Sequence, residues 1–174
     1  MASEARKALR AYALRVLARR DHGRAELAAK LRARLQRTAA PRAFDAAPAV
    51  DDAQAEIECV LDDLEQRGLV SDARAAEALL HAKAPRYGTR RLRQALQARA
   101  LPADLVEQAV RDARTSEWSR ACAIWRRRFG TAPGDAREHA RQLRFLLARG
   151  FEADLARRVI REGGGSDDAQ GGLP

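Results

Sequence analysis

The chain has 174 residues, room for one large domain or a few small modules, and alanine, leucine and arginine dominate it. These are strong helix formers, while the strand-favouring valine, isoleucine and threonine are few, which argues against a sheet protein. The formal net charge of +9 favours an anionic partner, and no apolar run approaches the roughly 20 residues that a membrane-spanning helix needs.

Of the 33 basic residues only Lys7, Lys30 and Lys83 are lysines. A GC-rich genome explains arginine over lysine, but not the excess of bases over acids. Cys59 and Cys122 form no C-x-x-C pair. They read as inert, half-buried thiols rather than a disulfide, which suits a reducing, cytoplasmic location.

The periodicity predicts nine helices. The first, over 4–20, carries Leu9, Ala13, Val16 and Leu17 on one side. Its basic, amphipathic start lacks the apolar core and cleavage site of a targeting peptide. The second follows Gly23, with Leu27, Leu31 and Leu35 spaced by four. Residues 37–50, rich in alanine and proline, read as a flexible insertion. The third helix opens at Asp51, with Gln54 at the capping-box position. Its Ile57, Val60, Leu61 and Leu64 form an amphipathic stripe. Burying each contributes roughly 1.5–3 kcal/mol, more than any helix propensity.

Gly68 ends the third helix as a left-handed cap. Ser71 or Asp72 opens the fourth, which carries Ala75, Leu79 and Leu80 and stops near Pro85. The fifth follows Gly88 and Thr89, with Leu92 and Leu96. Pro102 suits the first turn of the sixth, whose apolar side is Leu105, Val106, Ala109 and Val110. Thr115 or Ser116 opens the seventh, which carries Trp118, Ala121, Ile124, Trp125 and Phe129. Asp135 with Glu138 is a second capping box, opening a helix with Leu143, Leu146 and Leu147 that Gly150 closes. The ninth holds Leu155, Val159 and Ile160, and 163–174 reads as a disordered tail.

One pattern recurs three times: Arg67-Gly68-Leu69-x-x-Asp72, Arg99-Ala100-Leu101-x-x-Asp104 and Arg149-Gly150-Phe151-x-x-Asp154. Each is a helix stop, an apolar plug, and an acid in the first turn of the next helix, where the helix dipole favours negative charge. The chain therefore reads as an all-α protein of three tandem three-helix repeats, 4–68, 71–113 and 115–162, forming an elongated, curved stack. Modules this small gain their core by packing on neighbours.

Charge is segregated along the chain. Basic stretches at 1–40, 85–100 and 115–150 alternate with an acidic one at 41–84, and 85–100 contains no acid at all. Basic residues also share helical spacings: Lys30, Arg34 and Arg37; Arg86, Arg90 and Arg93, with Arg91 adjacent; and Arg137, Arg141 and Arg144. Arg126, Arg127 and Arg128 cluster beside Trp125. Spaced guanidinium groups suit phosphates or carboxylates, although a solvated face is the commoner meaning of any single run. The acidic third helix either meets a basic partner or neutralises the first repeat internally. Trp118 and Trp125, seven apart, fit a core face, while Tyr87 either plugs its turn or touches a partner.

Little supports catalysis. His22, His81 and His139 make no H-E-x-x-H pattern, and with two distant cysteines they offer no metal spacing. Gly163–Gly165 precede no Lys-Ser/Thr, and no serine sits in G-x-S-x-G. No cofactor is expected.

Four segments in register carry a resemblance. Ala8-Leu9 through Leu17-Ala18-Arg19-Arg20 with Glu26-Leu27-x-x-Lys30-Leu31, then Gly68-Leu69-x-x-Asp72, Tyr87-Gly88-x-x-Arg91-Leu92-x-x-x-Leu96, and Phe145-Leu146-x-x-Arg149-Gly150-Phe151 are similar to RecX regulatory proteins over about 5–162. The chain departs from them in having Gly23 where a capping serine is common, Ala100 where glycine is usual, and a longer insertion at 37–50.

The resemblance implies a non-enzymatic, cytoplasmic protein, expected as a monomer. It implies binding to the RecA recombinase and its nucleoprotein filament, with suppression of ATP hydrolysis, filament growth and strand exchange, and thereby modulation of recombinational repair and the SOS response. The arginine-rich faces, Lys30 and Tyr87 are then the candidate contacts to RecA or to DNA, single- or double-stranded, with the DNA contact weak and non-specific. The alternative is a direct DNA-binding, helix–turn–helix-like protein that acts without RecA.

Overall fold

A computed structural model describes residues 2–38 and 50–163. Among these residues the fold is all-α: α1 (Ala2–Leu17), α2 (Arg24–Thr38), α3 (Val50–Gln66), α4 (Asp72–Lys83), a 3₁₀ turn (Ala84–Arg86), α5 (Thr89–Gln97), α6 (Ala103–Thr115), α7 (Glu117–Arg128), α8 (Ala136–Ala148) and α9 (Ala153–Glu162). The ends differ slightly from the sequence expectation. α1 stops at Leu17 rather than Arg20, and Pro102 stands just before α6 rather than inside its first turn. Helix also takes both ends of the expected insertion, leaving 39–49 outside the described residues together with the expected tail from 164 onward. The Asp51 side chain, expected to cap α3, lies outside them as well.

The described residues form two compact units, one within Met1–Ala78 with Gln97–Leu105 and the other within Leu79–Leu96 with Val106–Pro174. Each draws on the sequence between α3 and α7, so neither coincides with a contiguous segment.

In the first unit α1 and α2 both pack on α3. The α3 stripe is fully inside, with Ile57, Val60, Leu61 and Leu64 against Leu9, Ala13, Leu27 and Leu31. The start of α2 shows how the turn motifs are used. Gly23 has no side chain to cap the helix. Instead Asp72 Oδ1, from the first turn of α4, accepts from Arg24 N at 2.8 Å. A Cβ on Gly23 would lie 2.5 Å from that oxygen and 2.8 Å from Leu101 Cδ2. Glycine is needed there by close approach, and the missing capping serine is replaced by a distant aspartate.

In the second unit α7, α8 and α9 enclose Trp125, Leu146, Phe151, Ala156, Val159 and Ile160. Trp125 is completely buried and donates through Nε1 to Gln142 Oε1 at 2.7 Å. The start of α5 is held as the start of α2 is. Buried Glu117, from the first turn of α7, accepts from Thr89 N at 2.6 Å. The next turn motif closes over it, with Gly88 N donating to Arg149 O at 2.9 Å and Arg90 N to Gly150 O at 3.2 Å. The last helix pair supplies its own cap: Asp135 accepts from Glu138 N, while Glu138 accepts from Gly134 N rather than from Asp135.

The three motif copies are not identical in three dimensions. Gly68, Ala100 and Gly150 all have positive φ, at 67°, 53° and 82°. After α3 and α8 the third residue beyond the helix donates back, Leu69 N to Leu64 O and Phe151 N to Leu146 O, the bond that defines a Schellman stop. Leu101 and Phe151 are buried plugs, but Leu69 is 43% exposed and Val70 is buried in its place. The turn after α3 points the next residue inward, which spacing alone did not reveal. Asp72, Asp104 and Asp154 each lie in the first turn of the following helix, as expected. Ser116 stands at the N-cap of α7 but makes no side-chain capping bond. The cysteines are not matched half-buried thiols: Cys59 is exposed and Cys122 is buried.

Candidate anion-binding surfaces

The acidic helix settles the internal charge balance of the first unit. Arg24 reaches three of its carboxylates, Glu58 at 2.8 Å, Asp62 at 2.7 Å and Glu65 at 2.6 Å. Those three hydrogen-bonded acids raise the guanidinium pKa further above its usual value, the bond to Asp62 most strongly. Arg6 pairs with Glu56 and Arg10 with Asp63. α3 thus pairs within the molecule with Arg6 and Arg10 of α1 and with Arg24 at the start of α2, the second of the two roles open to it in the sequence.

Lys30, Arg34 and Arg37 do share a face of α2, and none of them is ion-paired to a described carboxylate. Arg34 lies over the Tyr12 ring, its guanidinium carbon 5.8 Å from the centroid, and Arg37 turns back to Ala33 O at 3.1 Å. Nearby, Arg20 donates to Glu26, and His22 is buried beside the same carboxylate at 3.2 Å. Burial holds the His22 imidazole below its ordinary pKa, outweighing the Glu26 charge that acts the other way.

The set around Arg86 is broken up. Arg86 belongs to the 3₁₀ turn, and Tyr87 is extended (φ −135°, ψ 150°), so Arg86, Arg90 and Arg93 do not run along one helix as their spacing suggested. Arg93 is ion-paired with Glu107 of α6, a compensating acid that inspection of 85–100 alone missed. Arg91 is tied down, donating to Ala148 O at 2.7 Å and lying 4.9 Å over the Tyr87 ring. Tyr87 is half-buried, clasped between this guanidinium and its turn. Only Arg86 and Arg90 of this group are exposed side chains without a described side-chain partner.

Arg126, Arg127 and Arg128 diverge around α7. Arg126 donates to Gly163 O at 2.9 Å, Arg127 is exposed, and Arg128 lies 5.9 Å over Phe129. Arg137, Arg141 and Arg144 hold together, lining an open groove with Asp135 and Glu138.

Sequence reasoning did not single out Glu117 and Arg120, the most deeply committed charges of the second unit. Glu117 accepts from both the backbone and the hydroxyl of Thr89. Arg120 donates to three backbone oxygens, Ala84 at 2.7 Å, Tyr87 at 2.6 Å and Ala113 at 2.7 Å. Burial lowers the Arg120 pKa, opposed by the Glu117 charge. The spacing of an acid and a base three apart at a helix start was the available signal. These residues build the turn that displays Arg86 and Arg90, and their charged groups are engaged within it. Among the described residues no group of three or more potential ligands is arranged to hold a metal ion.

Comparison with known proteins agrees with this architecture. Family models described as the second and third three-helix domains of RecX match residues 71–110 and 115–160. The regulatory protein RecX of Leptothrix cholodnii is 48% identical over 153 residues, covering 88% of this chain and 87% of that protein. That of Ralstonia nicotianae is 42% identical over 153 residues, covering 88% and 86%. Among solved structures, RecX from Lactobacillus salivarius superimposes with a TM-score of 0.70 at 16% identity, covering 92% of this chain and 97% of the other, a likeness of fold alone. With relatives this similar over nearly the whole length, the chain belongs to the RecX family of regulatory proteins.

Proposed function

We propose that this chain binds the RecA recombinase and its filament on DNA, and restrains ATP hydrolysis, filament growth and strand exchange. On this reading it modulates recombinational repair and the SOS response from the cytoplasm, as a monomer and through binding rather than catalysis. The observation that carries the reading is the contrast between the two kinds of charge. The acidic helix is spent on internal arginines. Lys30, Arg34, Arg86, Arg90, Arg137, Arg141 and Arg144 form no ion pair with a described carboxylate. A surplus of outward guanidinium groups complements a polyanionic nucleoprotein assembly and speeds encounter with it.

The test is the DNA-dependent ATPase of the cognate recombinase. Added protein should lower it at near-stoichiometric ratios. Arg86→Glu with Arg90→Glu should weaken inhibition while helicity is retained. Arg91 and Arg93 are left intact because their partners make them structural. No inhibition by the wild-type protein would overturn the reading.

A further inference from the structure

The second unit carries a patch whose chemistry is narrower than positive charge. Phe129, at the end of α7, and Phe145, on α8, meet edge to face with centroids 5.0 Å apart. Both rings are only half-buried. Three guanidinium groups cover them. Arg149 lies 3.7 Å over Phe145, and Arg141 and Arg128 lie 5.5 Å and 5.9 Å over Phe129. Arg141 also lines the groove with Arg137 and Arg144, so the patch runs on along α8.

A neighbouring stack shows what distinguishes this one. Arg158 lies 4.0 Å over Trp118, but it is ion-paired with Glu162 at 3.6 Å. Arg128, Arg141 and Arg149 have no described carboxylate partner. The acids beside them, Asp135 and Glu138, are engaged in capping the start of α8. Their charges therefore remain available, and the ring contacts restrain their side chains, so less order is lost when a ligand binds.

We propose that this Phe129–Phe145 platform with Arg128, Arg141 and Arg149 is a binding site for single-stranded nucleic acid. Guanidinium edges take the phosphates, and unpaired bases stack on the outer guanidinium faces and against the exposed ring edges. A duplex keeps its bases stacked internally and would use only the charges. An acidic peptide likewise has no use for the platform. The site deepens the function proposed above by naming the component it would address, the strand rather than the recombinase, but its binding requires no recombinase.

The experiment is a fluorescence-anisotropy titration of the full chain, without recombinase. The probes are a labelled oligothymidylate, a duplex of the same length, and an abasic oligomer with the same number of phosphates. Oligothymidylate should bind several-fold tighter than either of the others. Arg141→Gln with Arg149→Gln should weaken it about tenfold or more, and Phe129→Leu with Phe145→Leu about fivefold or more. Arg111→Gln, on α6, should leave it unchanged. Equal affinity for the abasic oligomer or the duplex would overturn the proposal. So would a folded arginine variant that binds like wild type, or polyglutamate competing as well as oligothymidylate at equal charge. If the phenylalanine variant does not fold, the abasic comparison and the arginine variant still decide. The recombinase ATPase, measured on the same variants, reads the proposed inhibition separately.

Discussion

Glu117 holds the start of α5 by accepting from Thr89 N at 2.6 Å and from Thr89 Oγ1 at 2.9 Å. Asp72 does the same for α2 through Arg24 N. In both cases the cap comes from the first turn of a helix far along the chain, so helix capping and tertiary packing are one event. Glu117→Ala should cost about 2–3 kcal/mol, because it strands a buried hydroxyl as well as removing a cap. Asp72→Ala, in a more open setting, should cost about 1–2 kcal/mol. Urea denaturation monitored by circular dichroism gives both values, and a Glu117→Ala loss no larger than that of an ordinary surface change would refute the account.

Ala100 is a non-glycine residue at φ 53°. The left-handed region costs an L residue roughly 1–2 kcal/mol, against about 0.5–1 kcal/mol of extra chain entropy for glycine. Ala100→Gly should therefore stabilise the protein by about 0.5–1 kcal/mol, seen as a higher urea midpoint. Gly150→Ala should do the opposite and by more. Its φ is 82°, and the new Cβ would meet Arg91 Cβ at 2.6 Å and Arg91 N at 2.7 Å.

Arg24 keeps Glu58, Asp62 and Glu65 from repelling one another along one side of α3. Arg24→Met retains much of the packing but removes the charge. The expected loss is about 1–3 kcal/mol at low salt, shrinking as salt screens the exposed carboxylates. Thermal midpoints of both proteins at low and high ionic strength check this. A loss independent of salt would point to packing instead.

His22 sets a pH dependence. In the fold its pKa lies below the ordinary 6.5, mainly through burial. The unfolded chain therefore takes up the proton first. The associated stability is complete above about pH 6.5 and falls as pH drops below it. Glu26 has a lowered pKa in the fold, where the Arg20 hydrogen bond, His22 and nearby arginine charges overcome the opposing effect of burial. Its contribution is lost only at lower pH, below the ordinary carboxylate range. Between about pH 6.5 and 5, wild type should lose stability relative to His22→Gln. Parallel urea midpoints for the two proteins across that range would contradict the assignment.

Much of the architecture was legible in residue order. Ile57, Val60, Leu61 and Leu64 announced their helix and its buried side because a period of 3.6 residues is a local property. Gly68 and Gly150 announced left-handed stops, and the motif they share identified Ala100 as a third, against its own residue type. The arginine faces were legible only in part. Lys30, Arg34 and Arg37 lie on one unbroken helix, so spacing placed them correctly. Arg86 and Arg93 did not follow theirs, because Tyr87 is extended and Glu107 arrives from another helix.

The order of amino acids by itself determined the helices, their apolar sides, the repeated stop and the excess of positive charge, since each follows from neighbours within a few residues. Tertiary structure alone decided which charges were neutralised and which stayed outward. It set Asp72 on Arg24 N, Glu117 on Thr89, and Arg120 on the Ala84 and Tyr87 carbonyl oxygens. The physical reason is that an ion pair or a borrowed cap depends on distance in space, and residues 28 to 48 positions apart meet only after the helices have packed.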